Sequence, residues 1–407
     1  MKSAGKEMTV GGAGLRGGWA VACDGLMVMR NGRVVRRDGG WASGLVWVLG
    51  RGSRALSGGG RVSSGGSRAA TAIVALAAGV MVTGCGGGGG DEGPAASGSA
   101  AASTEKPVEQ PILTMPTSTY TGMHAEAFKR INEARIAAGV SALKQSVELD
   151  RAAQAHSDYL VANNVLSHNE DSTAAYFTGS DASQRATAKA YKNVVSTEVI
   201  AQIDPTRSGR DHIDMHLNSV YHLHGILMPQ TNEVGIGLGS LNSYSTRVTS
   251  SITLGTTDSR MRSSKDPFTW PVHTATEVPS SFAPSTEVPN PLAGVAANNS
   301  VLVGPPIMFC RSVDLTYPWA LGAIAIQEAD QPQASIAAWV LKPAYLVTNT
   351  SPSIEFRSDS RLGRVSDNCI FLITKMALRP ATQYTVGVVT IYRGTPSETR
   401  WSFTTAN

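Results

Sequence analysis

Residues 149–160 read Leu-Asp-Arg-Ala-Ala-Gln-Ala-His-Ser-Asp-Tyr-Leu, and this stretch decides the fold class of the first half of the chain. Its apolar side chains recur at helical spacing and form one continuous face. The members of that face are Leu149, Ala152, Ala153, His156 and Leu160. The stretch therefore predicts an amphipathic helix that begins after Ser146.

Further helices and a late hairpin surround this segment. Upstream, Phe128, Ile131 and Arg135 follow a helical spacing, and Gly139 is a good stop signal. Downstream, residues 210–224 predict another helix. After Pro229 the sequence alternates like strands at 234–238 and 251–255. Helices followed by a hairpin indicate an α+β domain, which we place at residues 119–258.

The second half of the chain has a different pattern. Residues 259–300 are Pro-rich and are expected to form a linker or a wrapping loop. Residues 301–407 hold about seven short strand-like runs between turn residues, the number typical of a β-sandwich. The stretch Leu378–Val386 resembles the tyrosine corner of immunoglobulin-like and fibronectin type III domains, which implies that fold for residues 301–407.

The N-terminal region is typical of a processing signal. Residues 1–85 carry a net charge of +8, whereas the rest of the chain carries −4. Residues 61–84 combine Arg61 and Arg68 with an apolar run of 14 residues at 69–82, too short to span a bilayer. The run ends in Val82-Thr-Gly-Cys85, which resembles a bacterial lipobox. We therefore expect lipidation of Cys85, with acyl chains such as palmitate, and a buried helix ending at a chance Cys is the alternative.

Residues 85–118 are rich in Gly, Ala, Ser and Pro, and we expect a flexible tether there. A signal peptide should begin a chain, so we expect residues 1–60 to be a mispredicted extension and translation to start nearer Val62. Gly86 follows the Cys, and no Asp stands there as an inner-membrane retention signal. These features predict an extracytoplasmic protein anchored to the outer membrane of a bacterium.

The remaining cysteines fit export. Cys310 and Cys369 lie within the expected sandwich, and an oxidising compartment favours a disulfide between them. Two buried free thiols are the alternative. Because the chain without its N-terminal piece is mildly acidic, a nucleic-acid partner is not expected.

A histidine-rich stretch offers a possible metal site. His212 and His216 share a helix face, but the string His-Ile-Asp-Met-His differs from the H-E-x-x-H of zinc proteases because its acidic residue is misplaced. A polar helix face is the simpler interpretation. For His156, a hydrogen-bonded core position is a better interpretation than a ligand position.

An ordered set of motifs over roughly residues 120–258 resembles the CAP superfamily of cysteine-rich secretory, antigen 5 and pathogenesis-related proteins. Ile131-Asn-Glu-Ala-Arg135 is similar to its first helix, and residues 149–159 are similar to its second. Ser167-His168, Glu198-Val-Ile-Ala201 and Ser219-Val-Tyr-His222 resemble the segments that follow in that family, and Val234-Gly-Ile-Gly237 resembles its next strand.

The resemblance implies an α-β-α sandwich with a central cleft lined by His168, Glu198 and His222. The fullest family members carry a second Glu, but Ser219 stands at that position here. Three ligands, two His and one Glu, would still suit zinc with open positions for water. His224 and Asp214 are nearby substitutes.

Three functions remain open at this stage. The favoured one is a membrane-anchored lipoprotein whose cleft binds a lipid, a peptide or an envelope component, with the β-sandwich as a spacer or adhesion module. The second is a zinc-dependent hydrolase that acts on peptide or cell-envelope substrates. The third is a structural interaction protein without a working cleft.

Overall fold

The computed structural model describes residues 28–30, 33–35, 107–203, 206–239, 248–295, 301–312, 319–349, 352–364 and 367–407. The chain divides into two compact units, Met1–Gly98 and Ser99–Asn407. In the first, the described residues are two short antiparallel strands, β1 (Val28–Arg30) and β2 (Arg33–Val35). The expected signal peptide, the lipidation site Cys85 and the tether up to residue 106 lie outside the described residues.

The second unit begins with a mixed α/β region that matches the predicted α+β class. Its described helices and strands are α1 (Gly122–Ala138), β3 (Lys144–Gln145), α2 (Val147–Asn163), α3 (Ala182–Ala188), β4 (Val194–Ile203), α4 (Gly209–Leu217), α5 (Tyr221–Ile226), β5 (Glu233–Leu238) and β6 (Val248–Thr256). The four strands form one sheet in the order β3-β5-β6-β4, so β4 lies at an edge.

Helices cover both faces of this sheet. The predicted second helix, α2, packs on β5 and β6, and α1, α4 and α5 lie on the opposite face. The Val-Gly-Ile-Gly pattern of β5 explains the close approach of α2, because a Cβ at Gly235 or Gly237 would lie 2.0 or 2.2 Å from the backbone of that helix. Gly139 ends α1 at a φ of 80°, as its sequence position predicts. The result is the expected α-β-α sandwich.

The rest of the unit is all β. Its described strands are β7 (Phe268–Trp270), β8 (Ala275–Val278), β9 (Ile307–Ser312), β10 (Ala320–Glu328), β11 (Ala338–Lys342), β12 (Ile354–Ser358), β13 (Gly363–Arg364), β14 (Asp367–Thr374), β15 (Gln383–Tyr392) and β16 (Thr395–Thr405). One sheet has the order β10-β15-β16-β8, and the other has the order β12-β11-β14-β9-β7, with β13 beside β14. The seven predicted strands are all present.

The expected tyrosine corner has its defining contact. The phenol oxygen of Tyr384 accepts a hydrogen bond from the backbone N–H of Arg379 at 2.8 Å. Two short strands, β7 and β8, lie inside residues 259–300, which the sequence predicted as a linker. Within the described ranges, no helix is both long and apolar enough to cross a membrane.

The sheet that contains β9 and β14 is buried on both faces. Phe309 and Ile370 point into the sandwich core, whereas Met308 and Phe371 belong to the same core cluster as the apolar residues of α1 and α5. His224 of α5 contacts the ring of Phe371 directly, with 6.4 Å between the ring centres. Strands buried on both faces are continuously apolar rather than alternating, as Cys369–Ile373 is.

Candidate functional site

Glu198 on the edge strand β4 is the centre of the first cluster of polar residues. Its carboxylate is almost fully buried, and Arg185 Nη2 of α3 donates to both oxygens at 2.8 and 2.9 Å. His168 Nδ1 lies 3.0 Å from Oε2 of the same carboxylate. The structure therefore brings together two of the three cleft residues that the sequence indicated, and adds an arginine that the sequence analysis missed.

Arg185 is itself buried and held on several sides. Its guanidinium also donates to the backbone carbonyls of His168 at 3.1 Å and Gly179 at 3.3 Å, and its Nε lies 3.8 Å from Glu170. This cation anchors the loop between α2 and α3 to the sheet. The one signal in the sequence was a single Arg in the Ala-rich stretch 182–188, because Glu198 needs a donor once it is buried.

His156 and Glu170 extend the cluster into the core. His156 Nδ1 lies 2.9 Å from Glu170 Oε1, and its Nε2 lies 3.7 Å from Glu198 Oε2. Burial lowers the pKa of His156 despite its two acidic neighbours, so the ring is neutral at pH 7. His156 occupies the hydrogen-bonded core position that its sequence favoured.

The partners of Glu198 keep it ionised. Burial alone would raise the pKa of Glu198, but the hydrogen bond from His168 and the charge of Arg185 outweigh burial and lower it. A carboxylate accepts and does not donate, so the His168 Nδ1 carries the proton of that bond. The other ring nitrogen of His168, Nε2, is the polar atom that remains for a ligand, on a side chain that is 53% exposed.

His222 belongs to a second cluster with a different carboxylate. Its Nδ1 lies 3.0 Å from Ser219 Oγ and 3.3 Å from Glu287 Oε1, and within the described residues no hydrogen bond or ion pair joins it to Glu198. Burial, and secondly the charge of His168, lower the pKa of His222 to about 4. The two imidazoles thus act on each other electrostatically, but each is oriented by its own Glu.

Glu287 comes from the segment that the sequence predicted as a linker. It is 2% exposed and accepts hydrogen bonds from the backbone N–H groups of Val220, Tyr221 and His222 at 2.8, 2.7 and 3.3 Å. These are N–H groups that a helix start leaves without a partner inside the helix. Burial raises the pKa of Glu287 to about 7, although the backbone donors favour the charged form.

The carboxylate of Glu287 thus lies beside Ser219, at the position where the family resemblance expects an acidic side chain. The Ser219 hydroxyl has one hydrogen to donate and lies 2.8 Å from the His216 carbonyl oxygen, within hydrogen-bond distance of His222 and of Glu287. Sequence reasoning could not find Glu287, because it lies outside the part of the chain that resembles the family.

The other histidines do not complete a metal site. His212 and His216 are buried, and none of their ring nitrogens has a hydrogen-bond partner in the structure. Burial lowers the pKa of His212 to about 4 and that of His216 well below its usual value. The proposed substitutes are otherwise engaged: Asp214 pairs with Arg130, and His224 packs on Phe371.

The donor set does not fit the zinc ion that the resemblance implied. Among the residues that the structure describes, no three His, Cys, Asp or Glu side chains are grouped to hold a metal. Arg185 also places a positive charge against both oxygens of Glu198, the carboxylate that a metal would need. The ligand set His168, Glu198 and His222 therefore remains a hypothesis without geometric support.

A small cleft opens beside the first cluster. Its volume is about 250 Å³, and most of its lining residues have polar side chains, with Ala182 and Val195 among them. Residues 195–198 of β4 form one side, and His168, Asn169 and residues 181–183 form the other. His168 is thus the exposed member of a buried ionic cluster, and its ring can meet a ligand.

The two cysteines of the β region lie opposite each other on neighbouring strands. Cys310 on β9 pairs in register with Cys369 on β14, and their sulfur atoms are bonded. The pair faces the α/β region rather than the interior of the sandwich. The disulfide therefore lies in the sheet that packs against α5.

Comparison with known proteins agrees with this architecture. The model of the cysteine-rich secretory protein family, CAP, matches residues 128–250. No curated protein matches the chain.

Two solved structures show similarity at low identity. An outer surface protein from Borrelia burgdorferi is 16% identical with a TM-score of 0.28, and the match covers 33% of this chain and 91% of that one. An extracellular protein containing an SCP domain, from Bacillus anthracis strain Ames, is 16% identical with a TM-score of 0.24, and the match covers 32% of this chain and 40% of that one. The family match and the α-β-α layers together identify residues 128–250 of this chain as a CAP domain.

Proposed function

We propose that this protein is an extracytoplasmic lipoprotein whose CAP domain binds a polar ligand in the cleft beside His168. One observation carries the proposal. The half-exposed ring of His168 is fixed by the buried carboxylate of Glu198, which leaves its Nε2 as a hydrogen-bonding atom at the cleft.

The cleft chemistry favours a ligand with hydrogen-bonding groups. A peptide or another polar envelope component offers N–H or O–H groups to His168 and Asn169, whereas a lipid tail would desolvate these groups without replacing their bonds with water. Of the ligand classes considered, the polar ones are therefore supported and the lipid is not. The zinc-dependent hydrolase finds no support in the donor set described above.

A retention experiment tests the ligand class. Fragments of lysozyme-digested peptidoglycan, a pool of short peptides and phosphatidylglycerol in mixed micelles are each incubated with the full chain in detergent, and bound material is recovered by affinity capture of the chain. We expect retention of a polar fragment and a roughly tenfold loss with His168→Ala, the equivalent of one hydrogen bond of about 1.4 kcal/mol.

His273→Ala is the matched control, because His273 is exposed and lies outside the cleft lining. It should retain the fragment like the wild type. Retention of phosphatidylglycerol alone, or equal effects of the two variants, would contradict the proposal.

Membrane anchoring is the second part of the proposal, and it rests on the sequence Val82-Thr-Gly-Cys85. Cys85→Ala should move the protein from the membrane fraction to the soluble fraction or leave it unprocessed, because the lipid acceptor is gone. Ser97→Ala, in the expected tether, is the control and should leave the protein in the membrane fraction. Unchanged membrane association of Cys85→Ala would reject the anchor.

A further inference from the structure

The cleft runs along the free edge of a β-sheet. β4 is the last strand in the order β3-β5-β6-β4, and among the described residues it pairs only with β6. An edge strand presents backbone N–H and C=O groups without partners in the sheet. The cleft therefore presents to a ligand the backbone N–H and C=O groups of β4 as well as side chains.

The lining residues show that the cleft opens onto this edge. Four consecutive residues, 195–198, line it, although successive side chains of a strand point to opposite faces. Thr197 lies on the side of α5, near Gly225, whereas Glu198 lies on the side of α2, near His156. Only a cleft that spans the edge between the two faces can contact both.

Two common protections against strand pairing are absent from this edge. Natural edge strands are blocked by Lys or Pro, by bulges, by inward-pointing charges or by a covering element. The sequence of β4, Val-Val-Ser-Thr-Glu-Val-Ile-Ala-Gln-Ile, has neither residue, and its one charge is neutralised by Arg185. A bulge between Val195 and Thr197 is its one irregularity, and bulges recur where a strand edge meets a functional site.

The opposite wall is suited to one extended chain and not to a second sheet. His168, Asn169 and residues 181–183 face the edge across a space of about 250 Å³. An extended peptide has N–H and C=O groups on both sides, so β4 would satisfy one side and the polar wall the other. The wall is held in place because Arg185 and His168 both bind Glu198, so the groove is already formed before a ligand enters.

We propose that the cleft binds an extended peptide segment, which adds to β4 as a fifth strand at Val195–Glu198. This inference rests on the proposed function and names its ligand class. Glu198 is paired with Arg185, so Asp181 is the remaining carboxylate of the lining, which contains no Lys or Arg, and the peptide is neutral or basic at this point. Backbone pairing supplies the affinity, and the wall supplies the selectivity.

The test is affinity selection from a random hexapeptide pool, acetylated and amidated at its ends, on the full chain in detergent. We expect enriched peptides that are poor in Asp and Glu, and no retention of a matched pool with N-methylated amides. Ser196→Lys, which puts a charge in the groove, should weaken binding of the best peptide at least tenfold. Val194→Lys is the control, since Val194 is exposed and lies outside the cleft lining.

Hydrogen exchange measured by mass spectrometry distinguishes strand addition from side-chain binding. At ten times its dissociation constant, the best peptide should slow exchange in residues 194–198 by up to about tenfold. If a pool peptide binds and depends on His168, but β4 exchange is unchanged and Ser196→Lys binds normally, the strand addition is wrong and the proposed function stands.

If no hexapeptide is enriched while peptidoglycan fragments are retained, the peptide class is wrong. If neither is retained, both proposals fail. A dimer seen by sedimentation that Ser196→Lys abolishes would show that a second copy, not a peptide, occupies the edge, and it would also overturn the inference.

Discussion

The two buried carboxylates of this site, Glu198 and Glu287, solve the same physical problem in opposite ways. Glu198 has a buried guanidinium on both oxygens and an imidazole beside it, so its pKa is lowered in spite of burial. Glu287 has three backbone N–H donors and no close Lys or Arg among the contacts described, so burial raises its pKa to about 7. One carboxylate is a permanent charge, and the other titrates near neutral pH.

This difference follows from where the two residues come from. Glu198, Arg185 and His168 all belong to the CAP domain, so its own fold fixes them. Glu287 arrives from outside the domain and binds the start of α5. The position of His168 therefore depends on the CAP fold alone, whereas the position of His222 also depends on the docking of the β region.

The largest expected effect on stability comes from removal of the cation that pairs with Glu198. Arg185→Met should lower the free energy of unfolding by about 5 kcal/mol, because removal of one partner of a buried ion pair leaves an uncompensated charge. The measurement is urea denaturation followed by fluorescence.

The double variant Arg185→Met, Glu198→Gln is the control, and it should recover part of the loss because no unpaired charge remains. If the double variant is less stable than Arg185→Met by the full cost of Glu198→Gln alone, the two side chains are not coupled, and the permanent-charge interpretation is wrong.

Removal of the disulfide should affect the cluster around Glu287 more than the cluster around Glu198. Cys310 and Cys369 are 59 positions apart, and loss of such a loop closure costs about 4 kcal/mol on the chain-entropy model. The bonded sheet packs against α5, so Cys310→Ser with Cys369→Ser should speed hydrogen exchange at residues 220–222 more than at residues 195–198.

Exchange measured by mass spectrometry on wild type and on the double Ser variant checks this prediction. Equal acceleration at the two segments would show that the β region supports both ends alike.

Glu287 should make stability depend on pH in a window where Glu198 does not. Its pKa is about 7 in the folded protein and 4.5 by reference, so the folded state binds more protons between these values. Stability therefore falls as pH rises from about 4.5 to 7, by up to about 3 kcal/mol in total. Glu287→Gln removes this contribution. The free energy of unfolding of the variant, relative to that of the wild type, should therefore rise by up to about 3 kcal/mol between pH 5 and pH 8.

Urea denaturation of both proteins at several pH values is the measurement. The lowered pKa values of His212 and His222 also make the protein less stable as pH falls through 6.5. Both histidines are present in the two proteins, so their contribution to the free energy of unfolding largely cancels in the difference. A difference that is independent of pH would show that Glu287 remains ionised throughout this range.

Sequence patterns predicted the layers better than the site. The α2 face and the strands were visible because burial on one face imposes a period of 3.6 or 2. His168 and Glu198 were found through motifs, but Arg185 was not, since its role depends on a loop that folds back on β4. The continuous apolar run Cys369–Ile373 did carry a signal, because a strand buried on both faces must pack against something outside its own sandwich.

The smallest expected effect compares two serine hydroxyls, one beside each carboxylate. Ser251 Oγ lies 3.3 Å from Glu198, which already has a cation, whereas Ser219 Oγ assists Glu287, which has only neutral donors. Ser219→Ala should therefore cost about 1 kcal/mol at pH 8, and Ser251→Ala less than about half of that.

The Ser219 hydroxyl also holds the pKa of Glu287 lower than burial alone would set it, so its loss should move the pH midpoint of the Glu287 effect upward. Ser219 and Ser251 are both buried in the wild type, so the cavity left by either Ala substitution costs a similar amount. Denaturation of both variants at pH 5 and pH 8 measures the difference. It should shrink at pH 5, where a protonated Glu287 no longer needs donors for a charge. A larger cost for Ser251→Ala at pH 8 would mean that Glu198, and not Glu287, is the carboxylate short of partners.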